Sequence, residues 1–114
     1  ATGKSYDDVI GFAGSDSTLH WGDTRIPGKD RKIWQVPYRS LVPKTVENLL
    51  VAGRCFGYEK GLTYDAREVG TCFMTGEAAG TAAAQAVSLR RGCRDIDVRR
   101  LQETLRMNKV KLEW

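Results

Sequence analysis

The sequence predicts an α/β fold with a few strands, one long helix and one short helix. Three observations lead there. Two short apolar runs, at residues 33–38 and 48–53, have strand character. A long segment rich in alanine and glycine follows a glycine-containing loop, and an amphipathic stretch stands near the end.

Residues 1–32 are rich in Gly, Asp, Ser and Thr and read as loop, with a short strand expected near Val9–Phe12. A loop this long is uncommon in a self-contained domain, so it is expected to serve a function or to lie against another segment. Ala1-Thr2-Gly3-Lys4-Ser5 ends like a phosphate-binding loop, but its first glycine and preceding strand are missing. His20 is the single histidine, and in a polar loop it reads as an exposed or structural residue.

Ile33, Trp34, Val36 and Tyr38 form a β-prone run, and Pro37 marks an edge or a strand end. Leu49-Leu50-Val51-Ala52 followed by Gly53 reads as a buried, parallel strand closing in a tight turn. The long helix is expected to begin at Asp65 or Gly70. Asp65 with Glu68 three residues on resembles a capping box, whereas Gly70 argues for the later start. It should run to Arg90, with Gly92 in the glycine position just past a helix end. In the last helix Asp97 is the expected N-cap, Ile96 and Leu101 form a hydrophobic staple, and Val98, Leu101 and Leu105 form one apolar stripe.

Composition narrows the function. The 114 residues suit one small domain, and the formal charge is +4. The basic residues are dispersed; the densest group, from Arg90 to Arg106, reads as a solvated helix face, so no nucleic-acid partner is expected. Three cysteines, Cys55, Cys72 and Cys93, without a Cys-x-x-Cys spacing argue against a disulfide framework and a zinc site. They fit a reducing, cytoplasmic setting. No membrane span, signal peptide or lipidation motif is visible in the sequence.

Gly76, Gly80 and Ala84 recur at four-residue spacing and share one helix face. Without bulky side chains there, a sheet, a helix or a cofactor can approach the backbone closely, and tight helix packing alone explains the pattern equally well. The start of the helix offers free amide groups and the positive end of the helix dipole, which favour an anionic partner. Arg67 adds positive charge there, or else forms an ordinary surface ion pair with Asp65 or Glu68.

Residues 33–43 (Ile33-Trp34-Gln35-Val36-Pro37-Tyr38-Arg39-Ser40-Leu41-Val42-Pro43), residues 46–54 ending in Val51-Ala52-Gly53-Arg54, then Arg67, Gly76-Glu77-Ala78-Ala79-Gly80-Thr81-Ala82-Ala83 and Asp95-Ile96-Asp97-Val98-Arg99-Arg100-Leu101-Gln102 resemble a known family. In this order and spacing they look like the closing section of FAD-dependent oxidoreductases of the glutathione-reductase-type flavin fold. The resemblance implies that the chain is the C-terminal portion of an FAD-binding, Rossmann-like domain. Residues 1–45 would be a loop-rich return from a substrate domain, and residues 46–114 the last strand and helices of the flavin domain. The chain would be incomplete without its N-terminal FAD-binding part, which in the family carries a G-x-G-x-x-G turn that this sequence lacks.

By the same resemblance, Ala52, Gly53 and Arg54 end a strand beside FAD, and Arg67, Gly70, Thr71 and Cys72 line the approach to its isoalloxazine ring. Tyr38 and Arg39 would face a small organic substrate. The implied chemistry is flavin-mediated hydride transfer, with no metal and with weak FAD binding by this chain alone. The alternative is a stand-alone interaction module without catalytic activity. Apolar surface left open by a missing domain would make the separated chain self-associate.

Overall fold

The computed structural model describes residues 5–14 and 33–113. His20, and Ala1–Lys4 of the phosphate-loop look-alike, lie outside them. Two strands, β1 (Val9–Ala13) and β2 (Trp34–Pro37), pair antiparallel. The chain then makes short 3-10 turns over Tyr38–Leu41, Gly53–Cys55 and Lys60–Leu62. Helix α1 (Thr63–Ala66) is a single turn, α2 (Val69–Leu89) is the long helix, and α3 (Val98–Met107) follows another 3-10 turn at Cys93–Asp95.

The two strands stand where the β-prone runs predict them. Their register slips between Val9 and Gly11, where Gly11 has φ +156°. A Cβ on Gly11 would come within 2.6 Å of Met74 Cγ on α2, so the bulge needs a glycine to let the helix side chain sit against the sheet. Ile10, Val36, Leu41, Leu101, Leu105 and Leu112 are fully buried, and Ala78, Ala82 and Ala86 of α2 close the same core.

Helix α3 forms as its sequence dictates. The Asp97 carboxylate accepts from the Arg99 and Arg100 amides, at 3.0 and 3.4 Å, which satisfies two amides of the first turn. Leu101 and Leu105 are buried while Val98 packs at the margin. Gln102 ties the helix to the sheet, its Nε2 donating to the carbonyls of Asp7 and Val9.

Two local expectations are corrected, and a third is decided between its alternatives. The run Leu49–Ala52 is extended but forms no strand. Its Val51 amide donates to the Leu41 carbonyl at 2.8 Å, and Leu49 is 45% exposed. An apolar run becomes a strand only where another strand lies beside it, and among the described residues none does. The sheet is accordingly antiparallel rather than parallel.

Of the two expected starts of the long helix the later one holds to within a residue, since α2 begins at Val69 and no capping box forms at Asp65. The chain leaves helix at Arg67–Glu68, and Glu68 becomes the extended N-cap of α2 without a side-chain cap bond. Its C-terminus turns not at Gly92 but at Arg90, which takes the left-handed conformation at φ 50°. The Arg90 amide donates to Val87 and the Arg91 amide to Ala86, so the closing hydrogen-bond pair forms two residues early, at the cost of holding an arginine there, roughly 1 kcal/mol.

The Gly76/Gly80/Ala84 face of α2 is exposed. A Cβ on Gly76 or Gly80 would meet nothing within 4 Å. The buried face of α2 is the opposite one, Thr71, Thr75, Ala78, Ala82 and Ala86. Larger apolar groups extend the open face at both ends: Val69 is 68% exposed, Phe73 75% and Val87 80%.

Candidate functional site

The expected cofactor residues divide into two groups that the fold brings together. Ala52–Arg54 enter a 3-10 turn in which Gly53 has φ +64°, a left-handed geometry suited to glycine. Gly70, Thr71 and Cys72 form the first turn of α2. The link between the groups is Thr75, one turn further on. Its hydroxyl, 0% exposed as a residue, accepts from the Gly53 amide at 3.0 Å and donates to the Thr71 carbonyl at 2.8 Å. A Cβ placed on Gly53 would lie 3.8 Å from Cys72 Sγ, which measures how closely the turn approaches the helix start.

Thr75 escapes sequence reasoning because a threonine inside an alanine-rich helix usually satisfies itself on its own backbone. Here it does so and also fixes a second element. The one available signal is its place on the Thr71/Thr75/Ala78/Ala82 stripe, where a polar group must find partners.

The first turn of α2 carries amide groups that its own carbonyls do not reach, and the Glu68 side chain does not cap them. Gly70 leaves open space where another residue would project a side chain. Thr71 is buried, so its side chain faces inward and only its backbone belongs to the helix start. The Cys72 thiol donates to the Arg67 carbonyl at 3.6 Å, which holds the α1–α2 corner closed. Arg54 belongs to the turn and Arg67 to the corner before α2, and both are exposed. The assembly is a turn and a helix N-terminus, open at Gly70. Backbone donors and positive charge suit a partially anionic oxygen.

Tyr38 and Arg39 do not join this group. Tyr38 is 3% exposed, and its hydroxyl donates to the Cys93 carbonyl at 2.6 Å. Burial and the nearby Cys93 push its ionisation well above the ordinary tyrosine range. Arg39 is exposed but engaged: its guanidinium bonds Asp8 at 2.6 and 2.8 Å and Asp7 at 2.9 Å, and it lies over the Tyr6 ring.

Burial raises the Asp8 pKa, but its bonds to the Arg39 side chain and amide and the Arg39 charge outweigh this, leaving it below its ordinary 3.8. A lowered folded pKa stabilises the fold fully above the unfolded value, and this is lost as pH falls through the folded one. Melting wild type and Asp8→Asn from pH 7 to pH 2 should therefore show wild type more stable at neutral pH, with the gap closing below about pH 4. A gap that stays constant into strong acid would mean that the pair contributes through packing alone.

A separate cleft of about 360 Å³ lies between the two-stranded sheet and the loop carrying Phe56–Glu59. Among the described residues no group of three or more His, Cys, Asp or Glu side chains is placed to hold a metal, and no helix is long and apolar enough to cross a membrane.

A turn pinned to a helix start by a buried threonine is the arrangement that brings the expected residues together. The family model for FAD dependent oxidoreductases matches residues 1–105, and the chain belongs to this family. No curated protein and no solved structure matches it.

Proposed function

We propose that this chain forms the flavin-facing closing section of an FAD-dependent oxidoreductase acting by hydride transfer on a small organic substrate. The observation that carries this reading is the Thr75 bridge, which fixes the Ala52–Arg54 turn against the first turn of α2. The residues fit the cofactor's ring end: backbone donors, a positive helix end and open space at Gly70 suit the carbonyl-bearing edge of isoalloxazine. When bound, FAD supplies the hydride-carrying ring. The chain's residues orient that ring, and their positive potential favours negative charge developing on it, with Arg54 and Arg67 adding to the field.

The rest of the cofactor calls for another segment. The sequence has no G-x-G-x-x-G turn for the pyrophosphate, and the exposed Gly76/Gly80/Ala84 face is shaped for a closely approaching neighbour. An N-terminal FAD-binding part of a longer chain meets both requirements. On the substrate side, Arg39 is the member of the Tyr38–Arg39 pair whose side chain is exposed.

Riboflavin presents the ring without the dinucleotide. Titrated into the isotopically labelled chain, it should shift the amide signals of Gly53, Gly70, Thr71 and Cys72 and spare those of α3. Shifts confined to α3, or none at saturating riboflavin, would leave the interaction-module alternative, for which the open α2 face is the natural contact.

A further inference from the structure

The cleft beside the sheet is distinct from the Thr75-linked turn, and its walls have their own chemistry. Five aromatic side chains, Tyr6, Phe12, Trp34, Phe56 and Tyr58, line it. Glu59 is the one charged residue among its described lining, and Lys and Arg are absent from that lining. The walls are held in place. The Trp34 indole donates to Asp65 at 3.3 Å and stacks on Phe56 with centroids 6.4 Å apart, and Phe56 packs at 5.1 Å against Tyr58. Behind them the Gly57 amide donates to the Ser40 carbonyl at 2.8 Å, and the Tyr58 hydroxyl to the Arg54 carbonyl at 3.3 Å.

At about 360 Å³ the cleft stands at the small end of ligand sites, roughly 300–1,000 Å³, so a dinucleotide outgrows it. Its charge pattern is selective as well. Aromatic faces carry negative potential and the Glu59 carboxylate adds to it; Arg39 lies over the Tyr6 ring, which leaves the rings of Phe12, Trp34, Phe56 and Tyr58 without a cation among the described lining. An anion is repelled there and a neutral apolar molecule gains nothing from Glu59. A small organic cation gains from both.

We propose that this cleft binds a small organic cation of the quaternary or alkylated ammonium class, its head among the aromatic rings and its charge toward Glu59. The site stands on this chain's own residues and is independent of the flavin reading.

Choline and dimethylbutanol, its uncharged carbon isostere, provide the test. Calorimetric titration of each into the 114-residue chain should show saturable choline binding, about tenfold or more tighter than the isostere. Glu59→Gln and Tyr58→Leu should each weaken choline several-fold. Glu59 is exposed, so Glu59→Gln should leave the thermal midpoint near that of wild type, whereas Tyr58 packs against Phe56 at the core margin and its variant is compared at a temperature where both proteins are folded. Equal affinity for the two probes, no saturable choline binding, or unchanged affinity in both variants would overturn the proposal. Flavin is absent throughout, so the result does not depend on whether the flavin reading holds.

Discussion

Replacing Leu105 by alanine should lower the stability of the chain by about 2–5 kcal/mol, the cost of emptying a fully buried leucine position. Helix α3 is highly charged on its outer side, and it is held to the body by Leu101, Leu105, the edge of Val98, the two bonds from Gln102, and side-chain bonds linking α2 to Thr104 and Asn108. Thermal melts should show the midpoint falling by roughly ten degrees or more. Met107→Ala is the control on the same helix, since Met107 is 75% exposed and should change stability by no more than about 0.5 kcal/mol. If the two substitutions cost the same, α3 does not dock as described.

The second large effect concerns association. Val69, Phe73, Gly76, Gly80, Ala84 and Val87 recur at three- and four-residue steps, giving an open stripe along about 27 Å of α2. Its centre is nearly bare backbone and its ends are large apolar groups. Two such faces approach closely in the middle while the ends interlock, and a two-fold pair is the commonest closed result. The isolated chain should therefore show a mass that rises with concentration in light scattering, and Phe73→Asp should return it toward monomer. A strict monomer at every concentration would show that this face needs no cover.

How much of this was legible in the sequence depended on the range of the forces involved. The Asp97 cap and the Leu101/Leu105 stripe are decided within one or two helical turns, and both stand as the sequence predicts. The strands at Val9–Ala13 and Trp34–Pro37 were visible in their side-chain types, though their pairing was not. Leu49–Ala52 misled because apolarity fixes neither a neighbour nor a ladder. Gly92 misled because the hydrogen bonds that end α2 close at Arg90, and φ at Gly92 is an ordinary −68°. In the candidate site, Gly53 and the start of α2 were proposed through the family resemblance, with electrostatic reasoning in support. Thr75, which joins them, was missed because its significance lies in a bond across 22 residues.

The central claim is that these residues serve the ring of FAD while its phosphates are held elsewhere. FAD and riboflavin titrated side by side into the 114-residue chain, followed by flavin fluorescence, separate the two halves of that claim. Both should bind weakly, in the range of about ten micromolar or above, and with similar affinity, because the extra nucleotide finds no phosphate cradle. FAD held at sub-micromolar concentration, and far more tightly than riboflavin, would show a complete dinucleotide site within this chain and contradict the claim.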